Sequence, residues 1–411
     1  MRKELNVTAM ILAAALAIQQ EKFRLDFEYQ YDFYHTDVLD DDNISNLFLL
    51  ASDAVKKPLA FSLEEACLSD EKRRGGTFLS AFLIGLFWDL PLVAASHEYG
   101  HFRAYSRAGV DKFIFISAFD DLTYPVRGPE HVFSNMFNQI WNNESWYVGV
   151  DDNEWNNIFV DRPAFHEHFY EFLAVIEAGG VNQEQHTLEI MADRIVSGRA
   201  HISDGPAWFF NIQHPIKYPI YGVENSDLYD YLEHLKEFGV RSTPDRIKDT
   251  MRFRYLGASS TAMWAGLYRF LADGDHTVNP PLRYWPEFAS YLTTKGVTVK
   301  TRNWIALSDC ATLEPIVQWS RDTSCKEIGW RISGVSDTGI KSNCSGFLNQ
   351  TKGNWWEGSL SLAVFPWLDL GLGASLGHGY TFEREISGKT YWFYEKNEFS
   401  LKGLVGMHLS F

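Results

Sequence analysis

Residues 23–33, FRLDFEYQYDF, alternate without a break. Phe23, Leu25, Phe27, Tyr29, Tyr31 and Phe33 fall on one side, and Arg24, Asp26, Glu28, Gln30 and Asp32 on the other. A period of two makes an extended strand with one apolar and one charged face. The carboxyl terminus repeats the pattern. In FSLKGLVGMHLSF the odd positions Phe399, Leu401, Val405, Met407, Leu409 and Phe411 are apolar. The positions between them are mostly Ser, Lys, Gly or His, with Leu404 the exception. Upstream, Leu360, Leu362 and Val364, then Leu368, Leu370, Leu372 and Leu376, alternate with small or polar residues, with Pro366 near the bend. TTKG at 293–296 and SGK at 387–389 read as turns, so seven to nine strands are expected between about residue 284 and the end.

A chain that ends on an alternating strand with a terminal Phe resembles the bacterial outer-membrane β-barrels. The resemblance implies closure of a barrel by pairing strand 23–33 with strand 399–411, so that neither is left as an exposed edge. A soluble antiparallel sandwich alternates in the same way and is the competing expectation. Other features agree with the membrane. The start, MRKELNVTAMILAAALAIQQ, has a basic end, an apolar run too short to span a bilayer and a small-x-small site at Ala15-Leu16-Ala17. That is the pattern of a cleaved export signal over residues 1–17. Aromatic residues make up 15 % of the chain, including 14 Trp and 19 Tyr, rings that favour a membrane interface. The formal charge of −16, with no Lys/Arg-rich tract, excludes nucleic acid as a partner. None of the four cysteines forms a CxxC pair, so a thiolate metal site is not expected.

Between the terminal strand regions the pattern changes. Residues 41–280 read as mainly helical, with helices over DNISNLFLLASDAV, AFSLEEACL, 163–178, 183–198 and 259–272. Short strands are expected at 112–119 and 146–150, in this insert or in the barrel wall. The run TFLSAFLIGLFWDLPLVAAS, 77–96, is close to a membrane span in length but carries Asp89 and Pro91. Those two residues predict a buried apolar segment ending near Trp88 and a new helix from about Leu90, capped by Asp89 and stopping before Gly109. The expected class is therefore α+β, an antiparallel β-barrel with a helical insert. Its parts are a leader (1–17), a first barrel strand (18–40), the helical region (41–280) and the remaining barrel (281–411).

The helix from Leu90 carries HEYGH. His97 and His101, four apart, project from one face about a turn apart and can occupy two corners of a tetrahedral zinc site. Glu98 lies where it can take a proton from zinc-bound water. Downstream, HTLEIMADRIVSG offers Glu189 and Asp193, again four apart on a predicted helix. Together HEYGH and EIMADR resemble the HExxH…ExxAD zinc peptidases, gluzincins of the CAAX prenyl-protease and heat-shock membrane-protease kind. The resemblance implies zinc ligands His97, His101 and Glu189, Glu98 as general base, and Asp193 orienting a ligand histidine from the outer shell. In that group a later His-Pro segment supplies a group near the substrate oxyanion, and NIQHPIKYP places His214-Pro215 after the ADR. The chain departs from the group in lacking an arginine soon after His-Pro and in showing no multi-span helical scaffold. Rival third ligands are Glu177, Glu184, His186, His166 and His168, with Glu184 the strongest because AGGVNQEQH reads as a polar helix start beside a glycine pair. Arg103 and Arg107 are candidates to grip a carboxylate or are simply a solvated face.

The sequence thus points to an exported zinc metallopeptidase of the bacterial outer membrane, acting on a peptide or protein substrate and contacting membrane lipid. Two other classes are open: a non-catalytic barrel, channel or adhesin, whose metal site is accidental or structural, and a helical inner-membrane protease spanning the bilayer at 77–96.

Overall fold

The computed structural model describes residues 24–32, 41–65, 69–107, 113–117, 123–125, 146–150, 169–196, 198–221, 226–278, 285–308, 311–323, 326–335, 340–349, 353–365, 367–384 and 391–410. The expected leader, the SGK turn, His166, His168, Cys67, Cys310 and Cys325 lie outside these residues. The fold is mixed α+β.

Ten strands form one antiparallel sheet: β1 (Arg24–Asp32), β5 (Pro286–Thr293), β6 (Gly296–Asn303), β7 (Ile305–Ser308), β8 (Ala311–Ser320), β9 (Lys326–Val335), β10 (Ile340–Asn349), β11 (Gly353–Phe365), β12 (Leu368–Arg384) and β13 (Tyr391–Ser410). β2 (Phe113–Ser117), β3 (Thr123–Pro125) and β4 (Trp146–Val150) make a separate small sheet in the order β3-β2-β4. The two alternating termini do pair. Arg24 faces Ser410 and Asp32 faces Lys402, a register that sets odd residues against odd, such as Phe27 against Met407 and Tyr29 against Val405.

The expected closure of a barrel is corrected. The sheet runs β1-β13-β12-β11-β10-β9-β8-β6-β5, with β7 added beside β8, and among the described residues β1 and β5 do not pair. Helices take the place of that last pairing. Helix α1 (Asp41–Glu65) lies along β1, helix α4 (Phe169–Val196) lies along β5, and the two helices pack on each other. The outward backbone groups of β5 are already taken by helical side chains. Asn182 donates to Leu292 O and accepts from Leu292 N, both at 2.8 Å, and Tyr231 Oη brackets Thr293 in the same way. Arg254 donates to Phe288 O at 2.7 Å. An edge strand so capped has little left to offer another strand.

The sheet also turns its faces opposite to those of a soluble sandwich. Ile328, Trp330 and Ile332 of β9, Leu360, Leu362 and Val364 of β11, and Leu370, Leu372 and Leu376 of β12 are exposed. The alternate positions point inward and carry charge: Glu314, Arg331 and Asp369 are wholly or partly buried, and Lys341 pairs with Asp369.

The remaining helices are α2 (Asp70–Ile84), α3 (Leu90–Arg107), α5 (Gly205–Tyr221), α6 (Asp227–Glu237), α7 (Pro244–Arg252) and α8 (Ala258–Asp273). Their core gathers Phe48, Leu92, Val181, Leu188, Met191 and Trp208. The helix start expected at Asp89 is corrected: α2 runs into α3 through a π-helical turn, Gly85–Asp89, and Leu90 keeps helical angles of −62° and −46°. The wider turn falls where the ring of Pro91 would otherwise meet the carbonyl of Phe87, which lets the helix continue through the proline. Asp89 is no cap. Its carboxylate is buried, accepting from Ser52 at 2.8 Å and Lys56 at 2.9 Å. The apolar segment before it was expected to be buried, yet Phe78, Leu79, Phe82, Leu83, Leu86 and Phe87 are exposed.

Candidate metal centre

Where α3 crosses α4, neither helix has a side chain at the contact. A Cβ on Gly100 would lie 2.3 Å from Gly179 O, and one on Gly179 would lie 2.6 Å from Gly100 O. The backbones therefore meet directly, and this closeness brings the next residue of α4 against the histidines. A Cβ on Gly180 would come within 2.5 Å of His97 Nε2 and 2.6 Å of His101 Nε2. The glycine pair thus makes room for the two imidazoles, which are buried.

Each ring has its Nδ1 held by an acceptor. His97 Nδ1 is 2.6 Å from Glu184 Oε1, and His101 Nδ1 is 2.8 Å from Ile176 O. A backbone carbonyl only accepts, so His101 carries its proton on Nδ1, and the Glu184 carboxylate asks the same of His97. The Nε2 atoms are then lone-pair nitrogens in the neutral rings. They lie 3.1 Å apart, and both face Asp227 Oδ2, at 2.9 Å from His97 and 3.2 Å from His101. Burial would lower both imidazoles, but Glu184 and Asp227 raise His97 well above its ordinary value and Asp227 raises His101 to about 9. Without a metal the three groups are therefore joined by protons on Nε2, and a bound cation would take the place of those protons. A tetrahedral zinc with ligands at 2.0–2.1 Å would set its donors about 3.3 Å apart, close to what is seen. The donor set of two imidazoles and a carboxylate fits zinc, and the outer partners are a carboxylate and a backbone carbonyl, as metal-binding histidines use.

Asp227 reaches the site from the first turn of α6. Ser226 caps that helix, its hydroxyl accepting from Tyr229 N at 3.3 Å, and the carboxylate sits where the helix dipole favours negative charge. Burial opposes its ionisation, but His101 and then His97 outweigh burial and hold it well below the usual carboxylate range. Glu184 behaves likewise: burial would raise it, yet His214 and His97 bring it below its ordinary value. His214 Nδ1, on α5, is 2.6 Å from Glu184 Oε1, and its ring stands edge-on to His97 with centroids 5.2 Å apart. Glu98, next to His97, accepts from Val148 N of the edge strand β4 at 3.2 Å. Glu177 hangs beside the site with no hydrogen bond among the described residues, and burial pushes its carboxyl up to about 8.

The structure therefore brings together His97, Glu98, His101 and His214, and joins to them Glu184 and Asp227. It does not bring Glu189 or Asp193 to the histidines. Glu189 accepts from Tyr291 and from Lys300, the latter at 3.0 Å, and Arg302 Nε lies 3.4 Å away. Asp193 accepts from Arg302 at 2.8 Å and from Arg331 at 2.9 and 3.0 Å. Both look one way from α4 into the sheet, and Glu184 looks the other way, towards α3. The five steps from Glu184 to Glu189 turn a helix by about 500°, well short of the same face. The sequence signal for Glu184 was the glycine pair four residues before it. Asp227 had none beyond a serine-capped helix start, since no spacing links it to HEYGH.

Protein-family models, curated proteins and solved structures were all compared with the chain, and none matches it.

Proposed function

We propose that this chain is a zinc-dependent metallopeptidase of the bacterial outer membrane, with His97, His101 and Asp227 as metal ligands and Glu98 as general base. The observation that carries the reading is the tautomer lock: with both Nδ1 atoms engaged, both Nε2 atoms face one carboxylate oxygen of Asp227, beside Glu98. Zinc held there supplies Lewis acidity and a lowered water pKa. Glu98 takes the proton of the attacking water and returns it to the departing amine. Val148 N–H steadies the Glu98 carboxylate from the strand edge. Glu184 keeps His97 in its ligand tautomer, and His214 acts through Glu184, in place of the oxyanion role that the family resemblance implied. The membrane half of the reading is supported by the sheet's apolar outer face and charged inner face, the alternation of a lipid-embedded sheet. The helical layer would be the zincin-like part.

The test is zinc stoichiometry and peptide hydrolysis of the detergent-solubilised protein, beside Glu98→Gln and Asp227→Ala. One zinc in the wild type and in Glu98→Gln, hydrolysis lowered about a hundredfold or more in Glu98→Gln, and little zinc in Asp227→Ala are the expected results. A wild type that takes up no zinc after loading and desalting refutes the enzyme. Zinc without hydrolysis of any peptide would leave a structural metal in a non-catalytic membrane protein.

A further inference from the structure

Seven exposed apolar side chains run along one face of the helix before the metal site: Phe78, Leu79, Phe82, Leu83, Leu86, Phe87 and Leu90. Their spacing of one, three, one, three, one and three residues is that of a single helical stripe, about 18 Å long at 1.5 Å per residue. No charged residue interrupts the stripe, and Ser80 beside it satisfies its hydroxyl on Thr77 O at 3.0 Å. The charged residue of this stretch, Asp89, faces inward and is paired with Lys56 on α1. Ionisable groups at bilayer depth are arranged in this way.

One end of the stripe has the chemistry of a headgroup layer. Lys72, Arg73 and Arg74 precede it by a turn, after Asp70 and Glu71, and Arg73 is paired with Asp70. Arg74 donates to Leu271 O at 2.7 Å and to Ala272 O, at the end of α8. Beside that contact Tyr268 is 74 % exposed and Leu271 is exposed too, so the Arg74 guanidinium and an aromatic ring share one level. The stripe also belongs to the part of the molecule that stands between the two edges of the sheet, since α2 packs on α1 and α1 lies along β1.

We infer that the face of α2 and the π turn is covered by the lipid bilayer, so that helices complete the lipid-facing wall left open between β1 and β5. The inference rests on the membrane half of the function proposed above and extends it from the sheet to the helical layer. The occupant is lipid on three grounds: an uninterrupted apolar stripe, an inward-paired aspartate, and cationic and aromatic residues at one end to meet anionic headgroups. The two ligand histidines lie on the same continuous helix, His97 about 10 Å beyond Leu90, which sets the metal centre near one surface of the membrane.

The experiment is photo-crosslinking from benzoylphenylalanine placed singly at Phe82, Phe87, Leu372 and, as a water-exposed reference, Glu233, with the full chain in vesicles of phosphatidylethanolamine and phosphatidylglycerol. Lipid adducts read by mass at Phe82 and Phe87, in yield within about twofold of Leu372 and absent at Glu233, are expected. Adducts at Leu372 but not at Phe82 or Phe87 overturn the inference and leave the membrane reading of the sheet in place. No lipid adduct at any position overturns both. Protein adducts at Phe82 and Phe87 show a protein partner on this face and overturn the inference as well.

Discussion

Replacing Gly180 with alanine perturbs the metal centre through geometry alone. The new methyl would sit 2.5 Å from His97 Nε2 and 2.6 Å from His101 Nε2, where an ordinary contact is about 3.4 Å or more. The rings must each retreat by about 0.8 to 0.9 Å. Metal–ligand distances tolerate about 0.2 Å. The atoms that yield are thus the two nitrogens that bind the metal, while the backbone of α3 need not move. Overpacking costs about 1–3 kcal/mol and the better helix propensity of alanine returns up to about 1 kcal/mol, so the fold survives. Zinc affinity, however, should fall at least a hundredfold, on the order of 3 kcal/mol. Competition of the purified protein against a chromophoric zinc chelator measures that affinity, with the unfolding midpoint of the zinc-free protein followed in parallel. Gly75→Ala is the matched control, because a Cβ there meets nothing within 4 Å. A Gly180→Ala protein that binds zinc as tightly as the wild type would refute the assignment of the facing Nε2 atoms as ligands.

Three other outcomes follow from the same structure. Gly179→Ala drives a methyl into the backbone of α3, 2.6 Å from Gly100 O, and should lower chemical-denaturation stability by about 3 kcal/mol or prevent folding, whether or not zinc is present. Glu189→Ala should keep its zinc, measured by elemental analysis, yet lose about 3 kcal/mol of stability, because Lys300 and Arg302 lose their shared buried carboxylate; loss of zinc would return Glu189 to the metal. Glu177, with a folded pKa of about 8 against 4.5 unperturbed, stays protonated in the native zinc-free protein while the unfolded chain ionises. Its contribution to stability is therefore whole below pH 4.5, declines as pH rises to about 8 and is level above that. Urea denaturation of Glu177→Gln between those limits should show a shallower fall with pH than the wild type, and an identical slope would refute the raised pKa.

What the sequence made legible was what is local or strictly periodic. HEYGH announces itself because four residues are one helical turn, and the alternation at both termini marks two strands because period two survives any context; their pairing, seen as β1–β13, was what the barrel resemblance implied. Among the described residues, the nine strands from Pro286 to Ser410 fall within the seven to nine expected. Two kinds of information were missing. The first is reach: Asp227 arrives at the histidines from a helix begun more than a hundred residues later, and only the packing of α6 on α4 decides that meeting. The second is competition. Glu189 and Asp193 match the ligand spacing of a known family, but Arg302 and Arg331 on the sheet claim them, and no local pattern shows which partner wins. Pro91 misled for a related reason. A helix break is its usual effect, and a π turn two residues earlier absorbs the clash.

The pairing of β1 with β13 also sets a timetable. The first described strand has its partner in the last, Arg24 against Ser410, so its edge cannot be satisfied until β13 has been synthesised. Each hairpin from β5 to β13 can zip onto its neighbour in turn, whereas β1 must wait through all of them, the most non-local strand pairing among the described residues. During that wait an aromatic strand with an unpaired edge is a template for the wrong neighbour. A chain cut short before β13 would leave β1 waiting without end, and a holding factor that covers alternating strands would matter more to this protein than its thermodynamic stability.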